Sequence, residues 1–164
     1  MPVRPGDLRI LVVDSDPEMR ILTRDMLDSL GILQVYTIGD GSRTFAELGE
    51  RAYDMVIIER QMEPINGIDL ARMIRTASDS PNSHIPILMV TAAPSIQEVT
   101  EARDVGVSEF LIRPFSIDSL KGRIIATANN PREFIRIESY FGPDRRRIAK
   151  EFRGKDMRGS KSRS

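Results

Sequence analysis

Four polar positions in this chain each close a short apolar run: Asp14, which opens Asp14-Ser15-Asp16, then Glu59, Thr91 and Arg113. Carboxylates such as Asp14 and Glu59 accept hydrogen bonds and hold cations. A guanidinium such as Arg113 is planar, permanently charged and donates in a fork. Glu59 and Arg113 are therefore expected to form a fixed ion pair at the mouth of a pocket. A second group stands together near the C-terminus, in Tyr140-Phe141-Gly142-Pro143-Asp144-Arg145-Arg146-Arg147. Aromatic and guanidinium planes stack on bases, and arginine pairs bidentately with phosphate or with guanine O6 and N7. Asp144 beside them can accept from a guanine Watson–Crick edge. The chain has no cysteine and one histidine. Disulfides, thiolate metal sites and a Cys–His pair are excluded, and His84, in a Pro/Asn/Ser stretch, reads as a surface loop.

Something must bring the first group together, and the apolar pattern supplies it. Short runs rich in Ile, Val, Leu and Met at Leu8–Val13, Leu33–Ile38, Met55–Ile58, Ile87–Val90 and Phe110–Ile112 read as strands buried on both faces. Amphipathic stretches between and after them, at Pro17–Leu30, Ser42–Glu50, Gly67–Ala77, Ser95–Val105 and Ile117–Ala128, read as helices. Asp16-Pro17 supplies the first helix with a side-chain cap and a proline at its first position. Strand–helix alternation of this kind predicts an α/β fold, a doubly wound five-stranded parallel sheet with right-handed crossovers. Its functional crevice is expected beyond the C-terminal strand ends, where the four polar positions fall.

The 164 residues suffice for one domain, and no apolar run approaches the ~20 residues that span a bilayer. A cytoplasmic protein is expected. The net charge of zero hides an asymmetry. Residues 1–131 hold 13 Lys/Arg and 19 Asp/Glu, a balance of −6; residues 132–164 hold 11 and 5, a balance of +6. The basic tail is expected either to lie on the acidic body or to meet an anionic partner. Residues 1–130 are read as the domain and 131–164 as a basic extension whose last dozen residues are disordered. Within that extension Phe134–Glu138 reads as a short strand or extended arm, and Gly142-Pro143 as a turn.

Taken together, these strand ends resemble the response-regulator receiver family of the chemotaxis type. Ile10–Asp14 is similar to its first strand and acidic pair, and Tyr53–Glu59 to its third, whose final position is normally the phosphoacceptor aspartate. Asn66-Gly67 stands where an Asp-Gly turn is usual. Pro86–Ala92 matches the fourth strand with its switch threonine, Thr91; Phe110–Phe115 matches the fifth strand and Lys-Pro-Phe, where the peptide before proline is typically cis. Phe110 falls at the switch aromatic, and core packing at a strand start reads equally well.

The departures shape the function that the resemblance implies. In working receivers the acceptor and the second acidic residue ligate magnesium, which neutralises the incoming phosphoryl group. Here Ser15 removes one ligand, Glu59 carries its carboxylate one methylene further out, and Arg113 replaces lysine. Gln61 still offers the backbone carbonyl the family uses. A displacement of ~1 Å can cost ~10²-fold in such a transfer. Loss of phosphotransfer is expected, with no cofactor required, no metal site counted on, and binding rather than catalysis as the activity. Asp16 either caps the first helix or replaces the missing carboxylate; Pro17 favours the cap.

Tyr140, Asp144, Arg145, Arg146 and Arg147, with Lys150, Arg153 and Arg158 behind them, look like the arginine-rich extension of chemotaxis-like receivers that bind cyclic di-GMP, a bacterial class acting on the flagellar motor. The resemblance implies a ligand-responsive interaction module. Its protein target would meet the fourth helix, fifth strand and fifth helix, including Gln97, Thr100, Arg103 and Glu109. Nucleic acid is a less favoured partner. The alternatives are a phosphorelay receiver still phosphorylated on its unusual site and a constitutive pseudo-receiver with no small ligand. Met62, in the loop after the third strand, is a candidate for exposure.

Overall fold

The computed structural model describes residues 4–129, 134–137 and 140–143. Strands β1 (Arg9–Val13), β2 (Gln34–Ile38), β3 (Met55–Glu59), β4 (Ile87–Ala92) and β5 (Glu109–Arg113) alternate with helices α1 (Pro17–Ser29), α2 (Thr44–Glu50), α3 (Gly67–Thr76), α4 (Ile96–Asp104) and α5 (Ile117–Asn129). The strands form one parallel sheet in the order β2-β1-β3-β4-β5. The expected doubly wound architecture is the one observed, and the order reverses at β1, between β2 and β3.

Period-two alternation divides the core. Leu11, Val13, Val56, Ile58, Ile87 and Met89 point to the face covered by Leu48 of α2, Leu70 and Ile74 of α3 and Ala102 of α4. Ile10, Val12, Met55, Ile57, Leu88 and Val90 point to the other, against Leu27 of α1 and Leu120 and Ile124 of α5. Both faces of the central strands are buried, which is why these runs are continuously apolar.

Helix starts follow their caps. The Asp16 carboxylate accepts from Glu18 N at 2.9 Å with Pro17 in the first turn, so Asp16 is a cap. Asn66 caps α3 by accepting from Asp69 N at 2.9 Å. Gly67 is required beside it: a Cβ there would lie 2.5 Å from the Glu59 carbonyl oxygen and 2.8 Å from Arg60 Cα. The stretch read as a helix from Ser42 begins instead as a 3-10 turn at Gly41–Arg43, capped by Asp40, before α2 takes over.

The extension forms an antiparallel hairpin, β6 (Phe134–Ile137) with β7 (Tyr140–Pro143). This corrects the reading of Gly142-Pro143 as a turn. Both are buried in a strand beside α3; among the described residues β7 ladders with β6 alone, and proline is tolerated in such an edge strand. Asp144, Arg145, Arg146, Arg147, Lys150, Arg153 and Arg158 lie outside the described residues.

Candidate functional site

The parallel sheet delivers Asp14 just past β1, Glu59 at the last position of β3, Thr91 near the end of β4 and Arg113 at the last position of β5. Asp14, Glu59 and Arg113 meet. Arg113 Nη1 donates to Glu59 Oε1, and its Nη2 donates to Asp14 Oδ2 at 3.2 Å. Asp14 Oδ1 accepts from Asp16 N at 2.9 Å, and Glu59 Oε2 from Gln61 N at 3.1 Å. Each of the four carboxylate oxygens thus already receives a protein N–H. The guanidinium fork directs a separate N–H at each carboxylate.

The pocket is drier than a surface ion pair. Asp14 is 4% exposed and Glu59 9%. Burial holds the Asp14 carboxyl above the ordinary aspartate range, and the negative charge of Glu59 adds to this. The Asp16 N–H and the Arg113 guanidinium pull in the opposite direction without cancelling it.

Two residues that the sequence reading passed over complete the site. Arg20, one turn into α1, donates from Nη1 to the Asp14 carbonyl at 2.6 Å. Arg60, directly after Glu59, donates from Nε to Thr91 Oγ1 at 3.3 Å and pairs through Nη2 with Glu98 at 3.1 Å. Adjacency to Glu59 was the available signal for Arg60; for Arg20 it was the one-turn spacing from the Asp16 cap. Thr91 is buried, and its hydroxyl meets Arg60. A cavity of about 350 Å³ opens beside the ion pair, lined by Ser15, Arg60, Gln61, Met62, Glu63 and Asn66. Ser15 is exposed, whereas Met62 is 5% exposed and packs in the core, correcting its candidacy for exposure. The Arg113-Pro114 peptide is cis, as the resemblance implied, and so is Glu63-Pro64.

The face formed by α4, β5 and α5 departs from its expected inventory. Gln97 is exposed and Thr100 and Arg103 partly so, but Glu109 is 6% exposed and accepts from Arg123 at 3.3 Å. It positions Arg123 instead of facing outward, because β5 starts one residue earlier than its apolar run and turns this side chain inward. The apolar surface there comes from Ile96, Ile112 and Ile117, at 69%, 50% and 41% exposure. A groove of about 750 Å³ runs alongside, lined by Ile112, Pro114, Phe115, Ser119, Gly122 and Arg123 among others. Phe110 is half-buried against the core. His84 is exposed in the loop before β4, as read.

Comparisons with known proteins converge on one family. The family model described as "Response regulator receiver domain" matches residues 10–125. The chain is 32% identical over 117 residues to chemotaxis protein CheY of Pseudomonas aeruginosa, covering 71% of this chain and 93% of that protein. It is 30% identical over 118 residues to chemotaxis protein CheY-3 of Vibrio cholerae, covering 72% and 89%. Among solved structures, CheY4 of Vibrio cholerae superposes with a TM-score of 0.64 at 26% identity, over 71% of this chain and 95% of that one. A solved response regulator from Chloroflexus aurantiacus shares the fold with a TM-score of 0.68 at 22% identity, over 75% of this chain and 98% of that one.

Proposed function

Because this chain belongs to the response regulator receiver family, we propose that it is a signalling module that works by binding, without phosphotransfer at Glu59. The observation that carries this is the Arg113 fork across Asp14 and Glu59. A receiver that accepts phosphate needs carboxylate oxygens open to magnesium and a nucleophile free to attack. Here all four oxygens are engaged, Ser15 supplies no carboxylate, and among the described residues no three metal-ligating side chains gather. The residues present do not fit a magnesium site.

The body over residues 1–130 then serves as a fixed platform, and its α4–β5–α5 face, with Ile96, Ile112 and Ile117 exposed, as the surface for a protein target. The extension over 131–164 supplies the ligand-binding segment. Tyr140 in β7 and the Asp144–Arg147 segment that follows carry the stacking planes and phosphate-gripping forks that cyclic di-GMP requires. On this reading the dinucleotide alters a protein contact, such as one at the flagellar motor. No helix among the described residues is long and apolar enough to cross a membrane.

Two measurements test the two halves. After acetyl phosphate and magnesium, intact-mass analysis is expected to show no adduct; a single-phosphate adduct abolished by Glu59→Ala overturns the pocket reading. Calorimetric titration with cyclic di-GMP is expected to show binding that Arg146→Ala or Arg147→Ala weakens at least about tenfold, the scale of one lost charge-assisted contact. Equal binding by the full chain and by a chain ending at Asn130 overturns the tail reading.

A further inference from the structure

The loop between β4 and α4 is short, and one of its residues is in an unfavourable backbone region. Ala93 has φ of 44°, the left-handed region that a residue with a Cβ rarely occupies. Such a conformation persists only where the surroundings over-determine it. Here a guanidinium spans the loop. Arg60 is anchored by its own backbone N–H, which donates to the Val90 carbonyl at 2.9 Å. From there its side chain reaches forward to both ends of the loop. Its Nε donates to Thr91 Oγ1 at 3.3 Å before the loop, and Nη2 pairs with Glu98 Oε2 at 3.1 Å after it.

Glu98 is itself committed to the helix start. Its Oε1 accepts from Ser95 N at 3.1 Å while Ser95 Oγ accepts from Glu98 N at 3.1 Å, a reciprocal capping box. One carboxylate therefore ties the first turn of α4 with one oxygen and Arg60 with the other. The Arg60 and Glu98 side chains are 18% and 33% exposed, so the pair is partly shielded from solvent and its geometry is held by three further hydrogen bonds. Within this clamp, between Ser95 and Glu98, stand Ile96 and Gln97, exposed at the edge of the α4–β5–α5 face.

We propose that Arg60 is a built-in latch: by holding Thr91 and Glu98 together it fixes the β4–α4 loop, and with it the Ile96–Gln97 edge, in one arrangement without any modification at Glu59. The clamp is distinct from the Arg113 fork and shares no atom with it. An acyl phosphate found on Glu59 would refute the pocket reading and leave the latch standing.

The test is amide hydrogen exchange on the full chain, comparing the natural protein with Arg60→Ala, Glu98→Gln and the double variant. Residues 92–99 are expected to exchange at least about tenfold faster in Arg60→Ala, as loss of a charge-assisted contact allows local opening. Strands β1, β3 and β5 should keep their rates. Glu98→Gln, whose amide can still serve the capping box, should give a smaller acceleration in the same segment. The double variant should exchange no faster than Arg60→Ala. Unchanged rates in 92–99, acceleration spread evenly over the chain, or additive effects of the two substitutions would each overturn the latch. Should Arg60→Ala fold poorly, Arg60→Lys replaces it. An ammonium can follow Glu98 but cannot hold both partners in the same fork, so the expected pattern is the same and weaker.

Discussion

Opposite ends of the same sheet bury charge in opposite ways. Where the strands finish, two carboxylates are held by one guanidinium: Arg113 across Asp14 and Glu59. Where β4 and β5 begin, a guanidinium is held by backbone. Arg75 of α3 is 2% exposed and donates to the carbonyls of Ser83 at 2.9 Å, Ile85 at 2.7 Å and Gly106 at 3.0 Å, and toward Ser108 Oγ at 3.4 Å. Ser108 Oγ in turn accepts from Ile87 N at 3.1 Å. The first arrangement depends on charge and changes with pH. The second depends on geometry: Arg75 staples the loops entering β4 and β5 to α3, and its stem fills the space that Gly106, at φ of 100°, leaves without a Cβ. One end of the sheet can therefore be altered for signalling while the other keeps the scaffold rigid.

The sharpest way to break this contrast is to remove each guanidinium in turn. Arg75→Ala would take the side-chain donor from three carbonyls, those of Ile85 and Gly106 buried, and leave a cavity along the stem. Each unsatisfied buried group costs about 1–3 kcal/mol, so a loss of at least ~3 kcal/mol is expected in urea unfolding. A loss below ~1 kcal/mol would show that the loops do not need the staple.

Arg113→Ala comes second. It leaves Asp14 and Glu59 facing each other, and breaking a buried pair costs ~3–5 kcal/mol; with Arg113 itself 22% exposed, about 2 kcal/mol is expected at neutral pH. The sign with pH is specific. The Asp14 carboxyl is already held above its ordinary 3.8, mainly by burial, and losing Arg113 raises it further. Stability tied to its neutral form is fully present below the unfolded value and lost as pH rises through the folded one. The deficit of Arg113→Ala relative to the natural chain should therefore shrink as pH falls from neutral toward 4. A deficit constant over that window would mean that Arg113 acts by packing alone.

How much of this could be read from residue order differs between the two ends. The strand-finish end was legible because each polar residue interrupts an apolar run at a strand terminus, where a buried face meets the crevice. Strand limits were short by one or two residues at β3, β4 and β5, since ladder hydrogen bonds do not depend on whether the last side chain is Glu59, Ala92 or Arg113. The strand-start end was not legible. Arg75 follows Ile74 and lies in the last turn of an amphipathic helix, where an arginine ordinarily reads as the solvated face or a dipole partner. Nothing local says that the loops before β4 and β5 will present carbonyls to it. Met62 and Glu109 were misplaced for a related reason: a loop apolar residue and a strand-start charge take their burial from tertiary neighbours, here α3 and Arg123. β7 was hidden by Gly142-Pro143, which locally favours a turn.

A carboxylate at the strand-start end supplies the smallest and most discriminating test. Glu47 of α2 accepts from Tyr53 Oη at 2.6 Å and from Arg51 at 2.5 Å, while Arg51 also lies over the Tyr36 ring, 4.4 Å from its centroid. The Tyr53 hydroxyl, then Arg51, holds the Glu47 carboxyl below its ordinary 4.5 against a smaller opposing effect of burial. This is the reverse of Asp14. Its contribution is present above the unfolded value and lost as pH falls through the folded one. Tyr53→Phe removes the donor and keeps the ring, including its edge-to-face contact with Tyr36 at 5.8 Å. Tyr53 is buried and Glu47 mostly so, so one charge-assisted hydrogen bond should register as a loss of about 1 kcal/mol at pH 7. That loss should diminish below pH 4.5, where the natural chain gives up the same contribution. Burial and Glu47 also hold the Tyr53 phenol well above its ordinary 10.0, so the natural chain should lose stability as pH climbs past that value, and Tyr53→Phe should not. On the acid side both deficits shrink but in different windows: that of Arg113→Ala between neutral pH and about 4, above the ordinary value of Asp14, and that of Tyr53→Phe only below 4.5. Deficits that shrink over the same window would erase the distinction between a carboxylate held by donors and one held against its own burial.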